Sequence, residues 1–253
     1  MRILICVVTV VAVWTARADT IYVDVNCPGP GNGSQAQPYC SIQTAIIAAL
    51  DTDVVIVAPG TYSERIDFLG KAITVRSSDG PAVTGIDGTG IVGPVVTCVT
   101  GEGPGTVLLG LTITGGNMDV SGGMLNIFSS PTVTDCVFRG NAGDLAGGML
   151  NFAGDPTVTD CTFIANSGSI LAGGMYNAMS NPAVTNCLFS GNLGLFGGGM
   201  YNVLGSLPTV TGCTFSGNVV TDQGGGIYVT DSSPTLANCV LWGNTDLGGT
   251  DGS

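Results

Sequence analysis

Histidine is absent from the 253 residues. That removes Ser-His-Asp and Cys-His catalysis, zinc held by imidazole, and haem on a proximal His. Charge is scarce as well, with Asp, Glu, Lys and Arg making up 9% of the chain against a usual ~25%. Only six residues are basic, against 18 acids. Such a surface repels nucleic acid and anionic lipid, because phosphate is held by clustered Lys and Arg. It also repels a polyanionic polysaccharide unless cations intervene. Past residue 18 no apolar run reaches the ~20 residues of a membrane-spanning helix.

Glycine, by contrast, is abundant. Its 41 residues are about 16% of the chain, against a usual ~7%. With 44% hydrophobic residues the chain still has the means to bury a core, so composition does not read as disorder. Residues 1–18 carry Arg2, an apolar stretch from Ile3 to Thr15, and the small-residue triplet Ala16-Arg17-Ala18. This is the pattern of a secretory signal peptide, too short for a span. Cleavage leaves 18 acids and the four bases Arg65, Lys71, Arg76 and Arg139, a net charge of −14. It also removes Cys6 and leaves eight cysteines in an oxidising compartment. Cys27 and Cys40 flank PGPGNGSQAQPY, a loop whose closure by a disulfide is worth about 3 kcal/mol.

The remaining cysteines belong to a repeat. Cys136, Cys161, Cys187, Cys213 and Cys239 are spaced by 25, 26, 26 and 26 residues. Each has Pro five residues before it, Val or Leu three before, Phe or Leu two after and Asn five after. The Phe positions are Phe138, Phe163, Phe189 and Phe215, with Leu241 last; the Asn positions are Asn141, Asn166, Asn192, Asn218 and Asn244. GGMLN, GGMLN, GGMYN, GGMYN and GGIYV lie between the frames, and all the length variation falls in the linking loops.

Self-similarity at this period marks a solenoid or array. Val, Thr, Phe and Tyr with a Gly-Gly pair or Pro every dozen residues exclude helical repeats. The pattern predicts an all-β parallel β-helix with three short strands per coil of about 25–26 residues, coils stacking in register at about 4.8 Å. Val, Cys and Phe at offsets −3, 0 and +2 are expected inward, with a bend between the first two. The Met residues after the glycines are expected inward too. Asn at +5 suits a corner, passing amide hydrogen bonds between coils, and the glycine pair is expected where the chain turns. Residues 41–50, SIQTAIIAAL, read as a short Ser-capped amphipathic helix closing the N-terminal end. The organisation expected is a signal peptide over 1–18, a cap with disulfide loop and helix over 19–52, and a β-helix over 53–253. Its regular repeats run over 117–253, and the coils number roughly eight. No capping segment follows LWGNTDLGGTDGS, which a solenoid needs, so continuation into a longer envelope protein is an open reading.

The frame F-x-x-N followed by G-G-x-[ILY], carried by Phe138 with Asn141, Phe163 with Asn166, Phe189 with Asn192 and Phe215 with Asn218, resembles the paired motifs of polymorphic outer membrane protein repeats. The second motif usually has Ala after the glycines where this chain has Met. The stretch IYVDVN…SIQTAI…VVIVAPGTYSERIDFLGKAITV is similar to the opening of secreted right-handed β-helix proteins with a pectate-lyase-like fold. The resemblance implies right-handed coils. It also implies a range of functions that includes polysaccharide lyases, epimerases and glycoside hydrolases, the lyases using an Arg or Lys base with calcium held by acids.

Against that expectation, the four bases form no cluster in sequence. Asp135 and Asp160 precede adjacent ladder cysteines, so stacking sets them about 5 Å apart, near the separation of a retaining carboxylate pair. They are also the only weak calcium candidates. Asn186, Gly212 and Asn238 fill the same ladder position, and that mixture is what a corner wants. The five-cysteine ladder reads as small buried hydrophobes, with soft-metal binding or disulfides as the alternatives, and Cys98 has no obvious mate. Tyr176, Tyr201 and Tyr228 are expected outward as a stripe, either stabilising the sheet or serving carbohydrate or protein binding. The function expected is a secreted or cell-surface structural or adhesive module without catalysis or cofactor. Its partner would be a carbohydrate or a cell-surface protein, and the alternative is a polysaccharide-active enzyme.

Overall fold

The computed structural model describes residues 18–247 except 119. All but the last residue of the expected signal peptide, Cys6 included, lies outside the described residues. The chain winds as a parallel β-solenoid of about seven full turns, and every strand pairs in parallel with its counterpart one coil away. The sheets of the described region have nine, eight, seven and six strands.

One coil shows the construction. Thr157–Thr159 lies in the nine-stranded sheet, Thr162–Ile164 in the eight-stranded, Ser167–Gly168 in the six-stranded and Met175–Ala178 in the seven-stranded. The six-stranded sheet is an addition to the three strands expected. It occupies the linking segment after each Asn, where strands such as Ala142–Gly143 are only two residues long and leave no alternating pattern to read.

Register follows residue identity. Val133 pairs with Val158, Phe138 with Phe163, and Met149 with Met175, each on the next coil. Val133, Cys136, Phe138 and Met124 are buried, as are their counterparts through Met200, Val210, Cys213 and Phe215. The rings of Phe138, Phe163, Phe189 and Phe215 stack at 4.8, 4.7 and 4.6 Å between centroids, within 4° of parallel. That spacing is the strand spacing itself, so one aromatic per coil fills the same volume at every level. On the last coil Leu241 is 50% exposed where Phe215 is fully buried.

Two polar seams run through this apolar interior. In the first, each corner Asn donates from Nδ2 to the next Asn Oδ1, from Asn141 to Asn166 at 3.1 Å through Asn218 to Asn244 at 2.8 Å. The second consists of Asn126, Asn151, Asn177 and Asn202, fully buried and linked Nδ2 to Oδ1 at 2.8 Å. Its ends stay open: Asn126 Oδ1 and Asn202 Nδ2 lack partners, because Cys98 and Val229 occupy the next rungs.

The glycine pairs act by closeness rather than by turning. A Cβ on Gly174 would run into the carbonyl oxygen of Gly199 on the next coil and the ring of Phe189. Their φ values are ordinary; the left-handed bend between Val and Cys falls instead on Asp135, Asp160, Asn186, Gly212 and Asn238.

At the N-terminal end, Thr20–Val23 extends the nine-stranded sheet beside Val54–Val57. The helix Ile42–Ala48 packs Ile42, Ala45 and Ile46 into the core. The first full coil clamps both of its ends. Glu64 accepts from Ser41 Oγ and from the backbone N–H groups of Ile42 and Gln43 at 2.8–3.0 Å. Lys71 Nζ donates to the carbonyls of Ile46, Ile47 and Ala49 at 2.7–2.8 Å. A carboxylate thus meets the positive helix end and an ammonium the negative one. Cys27 and Cys40 form the disulfide, with Cα atoms 5.4 Å apart. Among the described residues no helix is long and apolar enough to cross a membrane.

Candidate functional site

The residues able to do chemistry are dispersed. Of the four bases, Lys71 is committed to the helix end, and Arg65 donates to the carbonyls of Pro94 and Val92 at 2.7 and 2.6 Å. Arg76 lies in the nine-stranded sheet and Arg139 in the eight-stranded. Arg139 borders a shallow groove of about 480 Å³ that Thr61, Val83, Thr112 and Thr114 also line. A second hollow of about 340 Å³ lies in the disulfide loop among Pro28, Pro30 and Pro38.

Asp135 and Asp160 stand on adjacent coils at exposed corners, both with left-handed backbone, φ 50° and 53°. Each backbone N–H donates across the coil boundary, Asp135 to Thr159 and Asp160 to Thr185, at 3.1 and 3.0 Å. The geometry places them where Asn and Gly serve equally on later coils. Calcium takes about six to eight oxygens, and two exposed carboxylates at a bend do not supply that set. Among the described residues no group of three or more Cys, Asp or Glu side chains converges to hold a metal.

Among the described residues the deepest carboxylate is Glu102, which is buried and not part of any sequence motif. It accepts from the N–H groups of Gly70 and Thr100 and from Ser129 Oγ, all at 2.8 Å. Three donors satisfy it, and it ties a loop to two coils.

The ladder cysteines are free thiols, as is Cys98. Each ladder sulfur lies 3.2–3.4 Å from the carbonyl oxygen two residues before it, as in Cys161 with Thr159 and Cys213 with Thr211. The hydrogen bond with Cys161, with burial adding to it, pushes the Cys187 thiol up to about 12. Burial likewise raises Cys98. Thiols held protonated are poor nucleophiles and poor soft-metal ligands.

Apolar side chains do line up on the outer face of one sheet, although Leu150 and Tyr201 are buried there by their neighbours. Outward positions of the seven-stranded sheet carry Leu125, Leu150, Tyr176, Tyr201 and Tyr228 in register. Tyr176 meets Tyr201 edge-on at 5.5 Å, Tyr201 lies 5.1 Å from Tyr228, and Phe196 from the six-stranded sheet stacks on Tyr228 at 5.2 Å. The tyrosine stripe is therefore a packed aromatic cluster, with Phe196 leaning over it. The repeated Leu/Tyr before Asn marks this row in the sequence; nothing there points to Phe196, which comes from a linking loop.

A family model described as "Right handed beta helix region" matches residues 97–246. Among solved structures the chain is similar to pectate lyase Pel9A, with TM-score 0.50 and 16% identity over 83% of this chain and 68% of that one. It is similar also to the pectin methylesterase from Aspergillus niger, at 0.47 and 11% over 93% and 88%. A rhamnogalacturonan lyase gives 0.46 and 14% over 88% and 58%. No curated protein matches the chain.

Proposed function

For a chain that belongs to the right-handed beta helix family, we propose the role of a secreted or cell-surface adhesive module without a catalytic centre. One observation carries this reading: the chemistry-bearing side chains are spent on architecture or scattered over different sheets, while exposed apolar side chains, Phe128, Met179 and Leu204, recur at one corner of the coils. Arg65 and Lys71 are bonded to carbonyls, Glu64 and Glu102 to backbone donors, and Asp135 and Asp160 sit at bends. Export is supported by the pattern of residues 1–18 and by the disulfide Cys27–Cys40.

The competing reading is a polysaccharide-active enzyme, favoured by the groove beside Arg139. The name of pectate lyase Pel9A supplies the first substrate to try. Purified protein is assayed on polygalacturonate, methylated pectin and alginate, with calcium and with chelator. The expected result is no new unsaturated or reducing ends above an Arg139→Ala control. Turnover that Arg139→Ala abolishes would overturn the adhesive reading.

A further inference from the structure

Each regular coil places residues in the left-handed backbone region at three corners, and the chain fills them in opposite ways. Between the nine- and eight-stranded sheets it uses Asp135, Asp160, Asn186, Gly212 and Asn238. Before the corner asparagines it uses Gly140, Ala165, Gly191, Gly217 and Gly243. After the seven-stranded sheet it uses Phe128, Ala153, Met179, Leu204 and Asp231, with φ from 48° to 57°.

Gly, Asn and Asp are the residues that tolerate this backbone; a large L side chain is strained there. At the third corner that strain coincides with a second cost. Phe128 is 67% exposed, Met179 47% and Leu204 53%. Buried contacts do not account for these side chains, and at the other two corners every such position except Ala165 is Asp, Asn or Gly. Strain and apolar exposure on the same residue in three of the five coils describe a ridge shaped to be covered.

The ridge adjoins the tyrosine face, because it follows directly on the same strands, and Phe128 meets Phe152 edge-on at 5.9 Å. Its charges are of one sign: Asp155 and Asp231 are exposed at this corner, while the four bases lie on the first coils or on other sheets. A second copy of the chain would bring the same acids and the same net negative charge, and an anionic membrane would be repelled. We propose that this ridge docks a cationic amphipathic protein segment. The segment's apolar side chains cover Phe128, Met179 and Leu204, and its Lys or Arg groups meet Asp155 and Asp231.

This proposal rests on the adhesive reading and gives it a surface and a partner class. The probe is a fluorescent 18-residue amphipathic Leu/Lys helix, with a Leu/Glu helix of equal hydrophobicity beside it. The chain is compared with a Met179→Asn, Leu204→Asn variant. The variant is expected to unfold at the same or a higher urea concentration, since strain is relieved, and to bind the Leu/Lys helix at least tenfold more weakly. Equal binding by both proteins, or equal binding of the Leu/Glu helix, would overturn the proposal. So would a parent dimer in sedimentation that the variant loses, which would make a second copy the occupant. Polysaccharide turnover with peptide discrimination intact would remove the adhesive reading alone. Loss of discrimination without turnover would remove the docking surface alone.

Discussion

Replacing Asn166 by Ala tests whether the corner seam holds the coils together. Asn166 is fully buried. Its Oδ1 accepts from Asn141 N and Nδ2, both at 3.1 Å, and its Nδ2 donates to Phe138 O at 2.9 Å and Asn192 Oδ1 at 3.0 Å. Truncation removes all four bonds, yet the losses are unequal. Asn141 Nδ2 keeps Ile113 O, and Asn192 Oδ1 keeps Asn166 N. The Asn141 backbone N–H loses its acceptor inside the rod, where water has no access. One orphaned buried donor costs about 1–3 kcal/mol, and each of the other bonds contributes about 1 kcal/mol. The expected destabilisation is thus about 4–6 kcal/mol.

Asn244→Ala is the matched control. It breaks the same contacts, to Asn218 N and Nδ2 and to Phe215 O, but on a half-exposed rung where water replaces them, so about 1 kcal/mol is expected. Urea unfolding followed by far-ultraviolet circular dichroism measures both. Asn166→Asp extends the test, because a carboxylate keeps the acceptor for Asn141 but turns lone pairs towards Phe138 O and Asn192 Oδ1. It should be destabilised at pH 7 and partly recover as pH falls. Equal losses for Asn166→Ala and Asn244→Ala, or less than about 1 kcal/mol for the buried rung, would refute the reasoning.

Alkaline pH should unfold the rod earlier than most proteins of its size. Burial pushes the Tyr62 hydroxyl from 10.0 up to about 12, and Cys187 moves from 9.0 to about 12. Both groups are neutral when protonated, so the folded state keeps protons that the unfolded chain releases. Stability is therefore full below pH 9 and falls between about pH 9 and 12, by about 3 kcal/mol for Tyr62 alone. Urea midpoints across that range check this, and Cys187→Ala should flatten the slope; a flat profile in the parent would contradict it. At the open end of the inner seam, Val229→Asn offers Asn202 Nδ2 the acceptor it lacks. A gain of about 1 kcal/mol is expected, and a lowered urea midpoint would count against it.

The repeat frame was legible because in-register stacking forces the same side chain into the same environment: Val133, Cys136 and Phe138 recur since each packs on its own image. The inner seam was hidden in plain sequence. Asn126, Asn151, Asn177 and Asn202 share the spacing of the methionines, but Asn is depleted in strands and reads as a turn residue. Only strand parity, two residues from the buried Met, places it inside. Glu64 and Lys71 could not be found, because they clamp a helix some 22–25 residues away with no local signal. The apolar ridge escaped for a related reason: Phe128, Met179 and Leu204 do not advertise left-handed backbone, and only the φ values reveal it.

The amide seams also make length discrete. Each rung meets only the rung above and the rung below, so the molecule reads as a ruler whose smallest division is one coil, about 4.8 Å. Excising residues 182–207 would set Phe163 on Phe215 and Asn166 on Asn218, restoring like against like. Excising half as many, residues 182–194, would set the Asn202 amide against the Phe163 ring at the junction. Growth or loss of such a chain is confined to whole turns, so copies of different length would still present the same faces at the same angles.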